Sequence, residues 1–167
     1  MIILGIDPGS AITGYGVVRS DKPSDLECLS FGSIRLSRLE QFPERLKKIY
    51  DDIFSLIEEY EPDCIALEDI FYSRNIKSAL QLGQARGAAI LAGINNNKDV
   101  ATYAPKEVKQ ALTGSGSASK EQVQMMVMRL LAFDRPIKPL DVSDALAVAI
   151  CHINRTWTSV RYPQTVI

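Results

Sequence analysis

Four carboxylates in this 167-residue chain stand where acids are costly. Asp7 closes the apolar run Ile2, Ile3, Leu4, Gly5, Ile6, and Glu68 closes a second short run, Cys64-Ile65-Ala66-Leu67. A carboxylate at the end of a core strand faces a large desolvation penalty unless something compensates it. Asp141 and Asp144 lie three apart in PLDVSDALAVAI, at the start of a helical stretch, and so share one helix face. The positive end of the helix dipole favours acids there. If the two strands are parallel neighbours, Asp7 and Glu68 emerge side by side at the C-terminal edge of the sheet, where open α/β sheets bind ligands. Carboxylates gathered in one place repel, so something positive must hold them. An all-oxygen set without His or Cys suits a hard cation, Mg²⁺ or Mn²⁺. Two such ions about 3.5–4 Å apart clamp the attacking water and the leaving oxygen of a phosphodiester, which is nuclease chemistry.

Each acid also has an ordinary explanation. Asp141 serves as an N-cap, Asp7 as a turn acid before Pro8-Gly9, and Glu68 as the partner of an arginine. The convergence of all four favours the metal site. The lone histidine, His152, lies two helical turns beyond Asp144 and reads as a surface or core residue, not a ligand.

The elements that must position these acids follow from hydrophobic spacing. Residues 2–7 form a strand, the glycine-rich stretch after it a tight turn and a returning strand, and residues 26–36 a third strand, together an antiparallel meander. Phe42, Leu46, Ile49, Ile53, Leu56 and Tyr60 draw one stripe along a helix over 41–60, which Pro62 ends. A crossover of this kind makes the pairing of strand 63–68 parallel. Helix 76–94 carries Ala79, Gly83 and Gly87 four apart, a stripe for close approach either to the sheet or to a second copy of the chain. A strand over 99–103, helices over 105–112 and 120–132, and a last helix over 142–157 complete a five-stranded mixed sheet flanked by helices, an α/β fold.

The length fits one domain, residues 1–158, with 159–167 as a tail. Cys28, Cys64 and Cys151 are odd in number and far apart, which points to reduced core residues in a cytoplasmic protein. No apolar stretch approaches the roughly 20 residues that span a bilayer, and no signal peptide is expected. The net charge is −1, but its distribution is uneven: −6 over residues 1–68 and +5 over residues 69–138. A basic middle third is a candidate phosphate-facing surface.

The stretches GIDPGSAITGYGVV, ALEDIFYSRNIKSALQLGQARGAA, APKEVKQALTGSGSASKEQVQMMV and DVSDALAVAICH, in this order, resemble the RuvC family of Holliday-junction resolvases. The resemblance implies an RNase H-like fold, a homodimer, and Mg²⁺-dependent paired cutting of four-way junction DNA, with two ions per subunit and Mn²⁺ as a substitute. It places the family's catalytic and metal-binding acids on Asp7, Glu68, Asp141 and Asp144. It puts two active-site lysines on Lys109 and Lys120, and a base-contacting aromatic on Phe71. Tyr72, Arg74, Asn75 and Lys77 follow Phe71 in a loop-like stretch and become candidate phosphate contacts. The Ala79/Gly83/Gly87 stripe becomes a candidate dimer surface, and Arg86 beside it a structural residue. The RuvA–RuvB branch-migration complex is the implied partner. Three other readings compete: an ATP-using phosphotransferase with a similar strand–Asp-x-Gly loop, a non-catalytic junction-binding module, and a related nuclease with a different nucleic-acid substrate. The first needs a second such domain, and the second has no use for four acids.

Overall fold

The sheet runs β3-β2-β1-β4-β5 in space and is built from β1 (Ile2–Asp7), β2 (Ile12–Arg19), β3 (Glu27–Arg35), β4 (Cys64–Glu68) and β5 (Asp99–Tyr103). The computed structural model describes residues 1–37, 41–69 and 75–161. Strand β1 pairs antiparallel with β2 and parallel with β4, and β4 pairs parallel with β5, so the expected meander and parallel crossover both form. Helix α1 (Phe42–Tyr60) makes the crossover. Its chain reverses at Glu61, which takes a left-handed conformation (φ 44°) and donates its N–H to the Ile57 carbonyl just before Pro62. Helices α2 (Ile76–Asn95), α3 (Pro105–Thr113), α4 (Lys120–Leu130) and α5 (Leu140–Arg161) follow.

Strand periodicity sorts the side chains between two layers. Leu4, Ile6, Ile65 and Leu67 face one side, where α1 and α2 cover them with Ile49, Ile53, Ile57, Ala85, Ala89 and Ala92. Ile3, Cys64 and Ala66 face the other, where they meet α5 and its neighbours through Val142, Leu146, Ala149 and Ile150. Asp7 follows Ile3 by four residues and Glu68 follows Ala66 by two. Both acids therefore belong to the α5 side.

Helix α5 lies unusually close to β1 and β2, and glycines make this approach possible. A Cβ on Gly5 would sit 2.0 Å from the Ala145 carbonyl oxygen, and one on Gly14 2.0 Å from the Asp141 carbonyl oxygen. Gly16 meets the Leu146 side chain in the same way. Gly5 pairs with Gly16 across the β1–β2 ladder, and Asp7 pairs with Gly14. The expected turn and returning strand form, and Gly14 and Gly16 lie inside β2, where they clear a bed for the helix.

The α2 stripe also resolves. Its sheet-facing residues are Ala85, Ala89, Ala92 and Gly93, with Gly93 against Ile65 and Val100. Gly83 and Gly87 have nothing within 4 Å of a Cβ position and do not serve the sheet. Helix α5 begins two residues earlier than the 142–157 expected and continues through Arg161. Asp141 thus lies inside its first turn and is not its N-cap. The cysteines are free. Burial pushes the Cys28 and Cys64 thiols up to about 11 and Cys151 up to about 12, so they are unreactive core residues. Among the described residues no helix is long and apolar enough to cross a membrane.

The glycine bed can be tested directly. Gly14→Ala must push α5 off the sheet, and overpacking of this kind costs about 1–3 kcal/mol. Urea unfolding should show that loss; a stability equal to the parent's would mean that the contact yields freely.

Candidate active site

Asp7 and Glu68 come together through strand register. Ile6 pairs with Leu67 in the parallel β1–β4 ladder, so Asp7 and Glu68 stand one step beyond it at the same sheet edge. Gly14 lies opposite Asp7 and directly under the backbone of Asp141. This contact brings the first turn of α5 over the edge. Asp144 follows one turn later.

The electrostatics show how tightly the four acids are coupled. Burial first, and then the charges of Asp144, Glu68 and Asp141, together push the Asp7 carboxyl up from 3.8 to about 8, against the opposing pull of Lys120. Glu68 is also raised, first by burial and then by Asp144, against the pull of Lys120 and Lys109. Both sequence-predicted lysines therefore reach the acids. Lys120 Nζ lies 2.8 Å from Asp144 Oδ2, a carboxylate only 15% exposed. That hydrogen bond raises the lysine above its ordinary value. A small cleft gathers Glu68, Lys109, Lys120 and Asp144 over a floor of Pro105, Val108, Val123 and Ala147.

Local structure explains where the lysines come from. Helix α3 starts at Pro105, with Glu107 accepting from the Ala104 N–H at 2.9 Å, and presents Lys109 one turn later. Helix α4 starts with a reciprocal cap: Ser119 accepts from the Gln122 N–H and the Gln122 side chain accepts from the Ser119 N–H. Lys120 is its first residue. A cation there opposes the helix dipole, so its placement serves the acids across the cleft and not the helix.

An oxygen-only donor set in which Asp7 is raised by burial and by three other carboxylates fits a hard divalent cation. Among the described residues no three acid, histidine or cysteine side chains already converge as a ligand set. Among the described residues Lys120 supplies the one direct ion pair to Asp144.

The remaining residues named from the sequence divide. Phe71, Tyr72 and Arg74 lie outside the described residues. Asn75 caps α2, its side-chain oxygen accepting from the Lys77 and Ser78 N–H groups at 3.0 and 3.3 Å. Lys77 is exposed in the first turn of that helix, not in a loop. His152 is half-buried, its Nδ1 2.7 Å from the Tyr103 hydroxyl, and burial lowers it. Its ring also stands 4.0 Å from the Cys64 Sγ. Arg86 pairs with Asp69, the residue after Glu68, at 3.4 Å. This contact had no signal in the sequence beyond the neighbouring acid.

Fold and site define a nuclease of the RNase H-like class. The family profile described as "Crossover junction endodeoxyribonuclease RuvC" matches residues 3–152. A crossover junction endodeoxyribonuclease RuvC of Desulforamulus reducens is 49% identical over 163 residues, covering 95% of this chain and 96% of that protein. The protein of the same name from Tolumonas auensis is 51% identical over 161 residues, covering 96% and 91%. The structure of Thermus thermophilus RuvC in complex with a Holliday junction substrate superposes with a TM-score of 0.91 at 32% identity, covering 95% of this chain and 96% of that one. The chain belongs to the RuvC family of crossover junction endodeoxyribonucleases.

The coupled acids give the ion-free protein a distinctive pH response. Folded Asp7 holds its proton up to about 8, whereas an unfolded aspartate releases it near 3.8. Its stabilising contribution is therefore complete below the unfolded value and is lost as the pH rises toward the folded one. In chelator the melting temperature should fall between about pH 5 and about pH 8. Asp7→Asn should flatten that fall and melt higher than the parent at the alkaline end. Equal slopes for the two proteins would contradict the coupling.

Proposed function

We propose that this chain resolves four-way DNA junctions, cutting two strands of like polarity as a homodimer during recombination and repair. The observation that carries the reading is the raised Asp7 at the centre of four acids, which only a divalent cation turns from a liability into a site. Asp7, Glu68, Asp141 and Asp144 would hold two Mg²⁺ ions, with Mn²⁺ as a substitute. When bound, such a pair polarises the scissile phosphate and lowers the pKa of the attacking water.

The chain's own residues account for the rest. Asp7, fixed at a strand end and flanked by α5, sets the position of the site. Lys120 is held on Asp144 in the cleft, from where its charge would stabilise the extra negative charge on the phosphate in the transition state. Lys109 lies on the same cleft wall and adds a second positive charge. Water attacks phosphorus in line and the 3′ oxygen leaves, so the products carry 5′-phosphate and 3′-hydroxyl ends. Phe71 would stack at opened bases, while Tyr72, Arg74, Asn75 and Lys77 follow the backbone near it, Asn75 from a position where it also caps α2.

The exposed face of α2 supports the dimer. Ile76, Leu80, Gly83, Gly87, Leu91 and Ile94 line one side at helical spacing, and the four large residues are 55–78% exposed. Apolar stripes of this kind mark interaction sites, and the open glycines let two backbones approach. Ala79, partly buried, flanks the stripe. A two-fold dimer matches the two-fold symmetry of a junction. In this reading residues 1–158 work as one nuclease domain with 159–167 appended, the site of action is the cytoplasm, and the RuvA–RuvB complex is the partner. Family membership supports these last assignments.

A labelled synthetic four-way junction and a matched linear duplex test the proposal. Mg²⁺ should yield paired symmetric nicks in the junction alone, and EDTA or Asp7→Asn should abolish them while binding persists. Lys120→Ala should slow single-turnover cutting by about 10²-fold with little loss of binding. Junction binding without cutting under any divalent metal would leave a binding module in place of a nuclease.

A further inference from the structure

Helix α2 carries two cations, and they differ in kind. Lys77 is exposed in the first turn. Arg86 lies mid-helix with its side chain only 21% exposed, and its Nη2 stands 3.4 Å from Asp69 Oδ1. Its Nε is buried and meets no acceptor among the described residues. A guanidinium kept largely out of water with one donor unmatched is costly, and a neutral side chain would avoid that cost. Its presence therefore points to the work done at Asp69.

Asp69 directly follows Glu68. Its N–H donates to the Tyr103 carbonyl at 2.8 Å, one step past the Glu68–Tyr103 pair that ends the β4–β5 ladder. The residue is thus fixed to β5 by its backbone and to α2 by its carboxylate. Glu68 is the last rung before this double anchor. The cations that act on Glu68 itself are Lys120 and Lys109; Arg86 faces Asp69 instead.

We propose that Arg86 is a positioning residue of the nuclease site: acting through Asp69, it locks the end of β4 to α2 and so keeps the Glu68 carboxylate among Asp7 and Asp144. The inference rests on the reading of Glu68 as a metal ligand. It also joins the site to the helix whose exposed stripe carries the proposed subunit contact, so that one rigid element serves both.

The test uses full-length Arg86→Gln, Arg86→Lys, Asp69→Asn, the Arg86→Gln/Asp69→Asn pair and Glu68→Gln, each freed of metal. Binding of Mn²⁺ is read from the electron paramagnetic resonance of the free ion, and folding from thermal melts and sedimentation. Arg86→Gln and Asp69→Asn should each weaken Mn²⁺ binding about 10-fold, the range for residues that orient ligands without touching the ion. The pair should be no weaker than either single variant, because both break one link, and Arg86→Lys should recover part of the loss. Parent-level Mn²⁺ binding by Arg86→Gln and Asp69→Asn would overturn the proposal. If Arg86→Gln does not fold, Asp69→Asn and Arg86→Lys carry the test by the same criteria. Glu68→Gln separates the two claims. Unchanged Mn²⁺ binding in that variant would remove the metal-site reading itself, whereas a loss there beside unchanged Arg86 and Asp69 variants would remove only the positioning role.

Discussion

Mutual repulsion among four carboxylates is the constraint on which the rest of this structure depends. Burial and three neighbouring acids raise Asp7 to about 8, so at neutral pH the cluster favours a proton on a group that the proposed metal binding would need charged. The fold opposes this repulsion with rigid elements. Two acids are pinned at the ends of paired strands and two on the first turns of a helix packed hard against the sheet. Lys120, reaching across from α4, gives only partial relief. The cluster is thus built at the expense of stability, the cost that the proposed cation site carries and a structural ion pair does not.

Close packing supplies the rigidity. Gly5, Gly14 and Gly16 let the backbone of α5 approach nearer than any side chain would allow, and the positions of Asp141 and Asp144 follow from that contact. The two-residue period of β1 and β4 does the complementary work by turning Asp7 and Glu68 to the same face of the sheet. A shift of one residue in either strand would send its acid to the α1–α2 side and dissolve the cluster. The alignment of the four acids is therefore a property of sheet register and helix seating.

Much of this was legible in the residues. Apolar runs ending in Asp7 and Glu68 gave the strands and the acids together. The spacing of Asp141 and Asp144 placed them on one helix face, and the α1 stripe implied the parallel crossover. What stayed hidden is what depends on contacts between distant segments. Gly14 and Gly16 fall in a stretch that reads as a turn and a returning strand, but nothing local in the sequence says that a helix from residue 140 onward lies on them. The Ala79/Gly83/Gly87 pattern was ambiguous between sheet and partner for the same reason, and only the placement of Ala85, Ala89 and Gly93 against the sheet shows which face is open. Asn75 read as a loop residue until its two hydrogen bonds made it a helix cap. The Asp69–Arg86 pair joins residues 17 apart in the chain, with no periodic signal to announce it.

The most direct test of the central claim is the ionisation of Asp7 itself, followed by carboxyl ¹³C resonance in a pH titration of the protein with and without Mg²⁺. The account predicts a midpoint near 8 in the ion-free protein and a fall to below about 4 once Mg²⁺ saturates the site, since an adjacent cation favours the charged form. A midpoint near the ordinary aspartate value without metal, unmoved by Mg²⁺, would contradict it and return the four acids to the status of separate surface charges.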